Sequence, residues 1–347
     1  MNVALVGVTG YSGMVLYQLL QQHPEVAMVR LFGHPDSQPQ PLMAAVPNFI
    51  GDQTLIEPLD AAVVMASCDL IFFATSAGVT TELATPFIEA DFPVIDLSGD
   101  YRLEDPETFT KWYHKPAPAT ATATATATLQ QSHYGLAEFA DAAGHNYIAN
   151  PGCYATATLL GLAPLVQQHL IDPTSIIVDA KSGTSGAGKK LATSTHFSQT
   201  DENLQLYKVN QHQHIPEIMQ QLKVWDASVP AIQFTTTLLP LVRGIMDTIY
   251  AKTDATAEQL HAAFAETYAD SPFVRVLPVG QLPTLKEVVG TNYCDLGISY
   301  NPVTHTVLVV SVIDNLVKGA AGQAVQNLNQ YFGFSATAGL QLTAVMP

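Results

Sequence analysis

Positive charge is scarce in this chain. Its 347 residues hold 14 lysines and arginines against 30 aspartates and glutamates, a formal net charge of −16. That balance excludes a general nucleic-acid surface, which needs a basic footprint; one small phosphate ligand needs only a few donors. Charged residues of both signs make up 13%, against roughly a quarter in ordinary domains. The surface is therefore expected to rely on Gln, Thr, Asn, Ser and Ala. Only three cysteines are present, none in a CxxC pair, which excludes a disulfide framework or a cysteine zinc cluster. No apolar run reaches the ~18–20 residues of a membrane span. The opening MNVALVGVTGYSG has no basic n-region, so no signal peptide is expected. Apolar residues, at 48%, supply sizeable cores, and roughly 100–200 residues per domain favours two domains. The expectation is an acidic cytoplasmic protein with no nucleic-acid or membrane partner.

The first chemistry-bearing segment is a strand, a glycine turn and a helix. Val3–Val8 is a short apolar run suited to a buried parallel strand, and Val15, Leu16, Leu19 and Leu20 carry a helical pattern ending at His23-Pro24. Gly7, Gly10 and Gly13 between them are spaced G-x-x-G-x-x-G, close to the dinucleotide fingerprint G-x-G-x-x-G. Glycines there permit a tight turn and let backbone approach a pyrophosphate at a helix N-terminus. The cofactor set is therefore Gly7, Thr9, Gly10, Tyr11, Ser12 and Gly13. A plain strand–helix turn is the alternative. After the next strand, 26–32, no acid follows directly; Asp36 would suit NAD, whereas His34, Ser37 and Arg30 would suit a 2′-phosphate. Arg30 has the alternative of pointing to the strand's other face. Ser37 joins the cofactor set, with a lean toward NADP.

Further α/β units follow: strands at 69–74 and 93–97, with a helix expected over Thr81–Ala90. Polar residues directly after such strands line the ligand crevice of a parallel sheet, which draws attention to Arg102. Ala119–Thr128 is five Ala-Thr pairs and reads as a surface connector without chemistry.

Asn150-Pro151-Gly152-Cys153-Tyr154 precedes a helix expected over Ala155–His169. Proline and glycine make a sharp entry, so Cys153 falls at or near a helix start, where amides and helix dipole favour a thiolate. Thiolates attack acyl and aldehyde carbons. Cys68 and Cys294, in or beside apolar runs, read as small buried hydrophobes. A strand at Ser175–Asp179 leads into a donor-rich loop, Lys181–Lys190, which includes Ser182 and Gly183 and can cradle a phosphate or cofactor amide. His212 and His214 stand two apart before Pro216-Glu217, a helix start, and suit acid–base work. A metal held by His212, His214 and His196 is the weaker reading, because no H-E-x-x-H or cysteine cluster accompanies them; no metal is expected. Arg243, beside Gly244, is a candidate anion contact. Asp314–Gly322 opens a final helix whose small residues allow close approach.

Together the blocks GVTGYSG (7–13), VIDLSGDYRL (94–103), NPGCY (150–154), KSGTSGAGK (181–189), HQHIPEI (212–218), VRGI (242–245) and DNLVKGAAGQAVQ (314–326) resemble the N-acetyl-gamma-glutamyl-phosphate reductase family of the aspartate-semialdehyde dehydrogenase superfamily. The resemblance implies an α/β fold: a Rossmann-type dinucleotide-binding domain (1–150), an α+β catalytic and dimerisation domain of the semialdehyde dehydrogenase type (151–313), and a C-terminal helical segment (314–347) returning to the first. It implies NADP(H), a Cys153 thioester, and reduction of N-acetyl-L-glutamyl 5-phosphate to the 5-semialdehyde with release of phosphate, in arginine biosynthesis. His212, matching the motif's first histidine, is the expected acid–base, with His214 as the second candidate. Asn150, Arg102 and Arg243 form the substrate set, and Asn315 joins the cofactor set. A homodimer or homotetramer is implied. Where the family has H-R-H, Y-P-T and Y-G-L-P-E, this chain has Gln213, Ala155 and Ala137, and its proline near VRGI stands at Pro240. Another acyl-phosphate reductase of the superfamily, of aspartate-semialdehyde or amino-adipyl type, is the alternative. A catalytically inactive nucleotide-binding regulatory protein and a cysteine hydrolase are weaker ones, opposed by Cys153 with its histidine pair and by the glycine turn respectively.

Overall fold

The computed structural model describes residues 1–118 and 132–345, so the Ala-Thr tract at 119–128 lies outside the described residues. Two compact units emerge: Met1–Pro151 with Ala320–Leu340, and Gly152–Gly319 joined by the chain from Gln341 onward. Residues 314–319, which the sequence groups with the returning segment, belong to the second unit. The reason is local: Asp314 is ion-paired to Arg243, and Asn315 accepts the Gly244 N–H.

The first unit is built on strands β1 (Asn2–Val6), β2 (Met28–Gly33), β3 (Gln40–Pro41), β4 (Leu55–Pro58), β5 (Leu70–Phe73), β6 (Val94–Asp96), β7 (His133–Tyr134) and β8 (Tyr147–Ala149). They form one sheet in the order β3-β4-β2-β1-β5-β6-β8-β7. All pairs are parallel except the edge pair β3/β4. Every residue of β5 is buried, as a central parallel strand covered on both faces requires. Cys68 is buried in this core beside Val64, Ile71 and Phe87. The helix expected over Thr81–Ala90 is instead two, Val79–Leu83 and Thr85–Glu89. Pro86 stands in the first turn of the second; it has no N–H to continue the first helix's ladder.

The second unit has strands β9 (Ile177–Ser182), β10 (Gln205–Tyr207), β11 (Gln233–Leu238), β12 (Ile245–Lys252), β13 (Val274–Val276), β14 (Cys294–Asn301) and β15 (Thr306–Ile313). Their order is β10-β11-β9-β12-β15-β14-β13, with only β9/β11 and β13/β14 parallel. β9 runs three residues beyond the expected Asp179, because Lys181 and Ser182 pair with Met246 and Ile245 although they are polar. The helix Cys153–Gln167 is buried at every position from Tyr154 to Val166. Pro164 inside it deprives the Leu160 carbonyl of its helical donor; the Tyr268 hydroxyl donates to that oxygen at 2.5 Å instead. Among the described residues no helix is long and apolar enough to cross a membrane.

Candidate active site

In the first unit, the chain leaves β1 through Gly7 at φ +95° and enters the helix Tyr11–Gln21, capped by Gly10. A methyl group on Gly7 would lie 2.5 Å from the Ala74 carbonyl oxygen, and one on Gly13 only 2.1 Å from that of Gly7. Both glycines are demanded by backbone packing. Gly10 differs: its substituent would meet the Gly7 oxygen at 3.4 Å and the Ala74 oxygen at 3.8 Å, ordinary contacts with open space beyond. No side chain caps this helix, so the first-turn residues Tyr11, Ser12 and Gly13 present amides that lack helical acceptors. The turn thus fits a pyrophosphate. Ser37, past the end of β2, donates from Oγ to the His34 carbonyl at 2.6 Å. Arg30 points elsewhere: its guanidinium reaches Glu57 at 2.8 Å and Ser67 Oγ at 2.6 Å.

The turn after β6 is organised by two buried carboxylates. Asp96 accepts from the Ser98 N–H and hydroxyl and from Tyr147 Oη; burial, then the neighbouring Asp100, pushes its pKa up. Asp100 accepts from the amides of Gly78 and Thr81. Arg102, buried, donates to the carbonyls of Asn150 (2.7 Å) and Leu97 (2.9 Å). The structure brings Arg102 and Asn150 together in this way. The Asn150 side chain is itself held on both sides, by the Ala320 carbonyl and by Asn327 Nδ2, each at 3.1 Å.

In the second unit Cys153 is the first residue of its helix, two residues ahead of the expected start at Ala155, with Gly152 as cap. Gly319 presses on it: a methyl group there would lie 2.7 Å from Cys153 Cβ. The close approach expected of the small residues in DNLVKGAAG thus ends at Cys153. His214 opens the helix His214–Trp225, and its imidazole packs on Gly152; a methyl group on Gly152 would lie 2.4 Å from His214 Nε2. Glu217, one turn further along that helix, accepts the Gly152 N–H at 2.7 Å. The start of the helix His214–Trp225 therefore sets an imidazole and a carboxylate around Gly152, the cap of the helix that Cys153 opens. His212, 4% exposed, is enclosed by the rings of Tyr154, Tyr207, Phe234 and His214. Burial, then His214 and Lys208, holds its pKa well below the usual histidine range. The Tyr154 and Tyr207 hydroxyls meet at 3.0 Å, and burial raises the pKa of both. Beneath the helix, Asp247 is fully buried and accepts from Thr158 Oγ1 at 2.6 Å. Desolvation lifts its pKa from 3.8 to about 7.

A second cluster in this unit gathers Ser182, Gly183, Arg243 and Asn315. Gly183 donates its N–H to the Gly244 carbonyl, and the Ser182 hydroxyl donates to the Gly183 carbonyl. The Asn315 side chain accepts from Gly244 N–H at 2.8 Å and donates to Ser185 Oγ at 3.0 Å, tying the two loops together. Arg243 grips the buried Asp314 through Nε and Nη2 and is 29% exposed. Asp314, Glu217 and Gly319 carry no site role in the sequence reading, yet each contacts a candidate site residue or the cap beside one. Their partners stand far away in the chain, and only the small-residue pattern around Gly319 hinted at one of them. Cys294 is buried against Ser311. Among the described residues no group of three or more His, Cys, Asp or Glu side chains could hold a metal ion.

The profile of the family described as semialdehyde dehydrogenase, NAD binding domain, matches residues 2–147, and that of the semialdehyde dehydrogenase dimerisation domain matches 153–315. The chain is 59% identical over 350 aligned residues to the N-acetyl-gamma-glutamyl-phosphate reductase 2 of Lactiplantibacillus plantarum, with 100% of both chains covered. It is 49% identical, over 350 aligned residues and again with 100% of both covered, to an N-acetyl-gamma-glutamyl-phosphate reductase of Listeria monocytogenes serotype 4b. A solved probable aspartate-semialdehyde dehydrogenase from Pseudomonas aeruginosa shares the fold, with TM-score 0.67 and 20% identity over 95% of this chain and 97% of that one.

Proposed function

The chain belongs to the N-acetyl-gamma-glutamyl-phosphate reductase family of the semialdehyde dehydrogenase superfamily, and from that premise we propose that it reduces N-acetyl-L-glutamyl 5-phosphate to N-acetyl-L-glutamate 5-semialdehyde, a step of arginine biosynthesis. The observation that carries this reading is Cys153 at a helix start with the His214 imidazole packed on the preceding residue. Cys153 attacks the acyl carbon as a thiolate, a C–S bond forms, the C–O bond to phosphate breaks, and a thioester remains. Gly7–Gly13 and Ser37 would hold NADPH, which would supply the hydride for the reduction; Ser182, Gly183 and Asn315 are further candidates for cofactor contact. The resulting tetrahedral oxyanion collapses, expelling the Cys153 thiolate and leaving the aldehyde. Arg243 offers its exposed edge to an anionic group of the substrate, and Arg102 is the second candidate for that contact.

Of the two histidines, His214 is the better supported acid–base. It abuts the cap of the cysteine helix, whereas His212 sits in an aromatic cage that disfavours its charged form. It takes the thiol proton as Cys153 attacks; His212 buttresses it. A homodimer or homotetramer formed through the second unit completes the reading, and sedimentation giving a ~37 kDa species would count against it.

Rapid-quench mass spectrometry with the acyl phosphate and no NADPH tests the nucleophile. The adduct is expected on the Cys153 peptide; an adduct on Cys68 or Cys294 would overturn the assignment. His214→Asn should slow turnover by ~10²–10⁴-fold with NADPH affinity retained. A normal His214→Asn enzyme beside a crippled His212→Asn enzyme would hand the role to His212. A clear kcat/KM preference for NADH would reject NADPH.

A further inference from the structure

The segment that delivers the two histidines bends through two non-glycine residues in the left-handed region, Lys208 at φ +44° and Asn210 at φ +55°. It leaves β10, where Tyr207 stands opposite Thr236 on β11. At that register residue 209 would face Phe234. Asn210 does so instead, so one extra residue is accommodated, as in a β-bulge. The Asn210 N–H donates to the Phe234 carbonyl at 3.0 Å, and its Oδ1 accepts the Phe234 N–H at 3.1 Å. Its Nδ2 reaches Gln233 Oε1 at 3.3 Å. The asparagine side chain thus supplies the acceptor that the backbone of a regular strand would offer. Asparagine is among the few residues that tolerate this backbone region, because its short amide bonds locally.

The residue it grips also lines the histidine site. The Phe234 ring lies 6.3 Å from the His212 ring and 6.0 Å from that of Tyr154, the neighbour of Cys153. Two residues beyond Asn210, His212 Nδ1 accepts the His214 N–H at 3.2 Å as the helix begins. One exposed amide therefore sets both the floor of the His212 cage and the exit direction of the chain toward His214.

We propose that Asn210 is a positioning residue for the His212–His214 pair, locking the bulged loop onto Phe234 so that the imidazoles are preorganised for the cysteine. The proposal rests on the roles given above to Cys153 and the histidines. Three substitutions grade it. Asn210→Asp keeps the acceptor and much of the backbone tolerance, Asn210→Gly keeps only the backbone freedom, and Asn210→Ala keeps neither. Turnover per titrated Cys153 thiol should fall in that order. Asn210→Ala is expected to be ~10–100-fold below the parent, with KM for the acyl phosphate within about threefold, since sub-ångström misplacement acts on kcat. Iodoacetamide titration of Cys153 and thermal melts separate misplacement from loss of folded protein. Asn210→Ala turning over normally per titrated thiol would overturn the proposal, as would a loss that merely tracks unfolding. A parent enzyme that turns over without any Cys153 adduct would instead refute the underlying mechanism, and this role with it.

Discussion

Two helices in this molecule begin in nearly the same way and are packed against different neighbours. Gly10 caps Tyr11–Gln21 at φ −79°, ψ 159°, and Gly152 caps Cys153–Gln167 at φ −75°, ψ 154°; neither cap is completed by a side-chain hydrogen bond. Both starts therefore leave amides directed outward and carry the positive end of a helix dipole. The wall behind each differs. At the first it is backbone, the Gly7 carbonyl 2.1 Å from where a Gly13 methyl would stand; at the second it is the His214 imidazole. The first helix buries one stripe, Gly13, Leu16, Tyr17, Leu19 and Leu20, while the second is buried from Tyr154 through Val166. A backbone wall with an open cap suits a phosphate, and an imidazole wall suits a nucleophile. The local N-cap does not choose between them; the packed neighbours do.

Adding one methyl group to each start should break the likeness in opposite directions. Gly152→Ala drives a carbon into the His214 ring and should lower kcat/KM by ~10²-fold while NADPH affinity, followed by fluorescence titration, holds. Gly13→Ala meets carbonyl backbone that cannot swing aside. It should cost about 1–3 kcal/mol of stability and weaken NADPH binding. If the two variants fail in the same assay, the division of labour between the helix starts is wrong.

Asp247, under the second helix, sharpens the contrast through pH. Its folded pKa, about 7, lies above the ordinary 3.8 because burial disfavours the charge. The folded state therefore holds a proton that the unfolded chain releases, and this carboxyl lowers stability progressively as pH climbs from 3.8 to about 7. Asp247→Asn removes the titration. Its Tm relative to the parent should rise over that window and level off above it; a flat difference would show that Asp247 ionises normally. The smallest effect is expected from Tyr268→Phe. It leaves the Leu160 carbonyl without the donor that compensates Pro164 and should cost about 0.5–1.5 kcal/mol in denaturant titration, with turnover per folded molecule unchanged.

The strand–turn–helix at the N-terminus and the Pro-Gly-Cys entry were legible in sequence because their causes are local: glycine spacing, an apolar run, a proline. Short strands such as β4, β10 and β13 were not, since segments of three or four residues take their conformation from the strands beside them. The sequence places Cys153 at or near a helix start, and the helix begins at Cys153 itself, two residues ahead of Ala155, because the turn is complete at the Gly152 cap. Arg30 has the residue type of a phosphate donor, but Glu57 and Ser67 hold its guanidinium.

By itself, then, the sequence determined the class of chemistry: a glycine turn at a helix start, a cysteine at another, and a histidine pair before a third, in an acidic chain poor in arginine and lysine. These are properties of residue type and short spacing. Tertiary structure decided which histidine abuts the cysteine helix, that Glu217 clamps the Gly152 amide, that Asp314 anchors Arg243, and that Asn210 can hold a left-handed bend against Phe234. Each of these depends on contacts between segments distant in the chain, and only close packing brings such segments within hydrogen-bond reach.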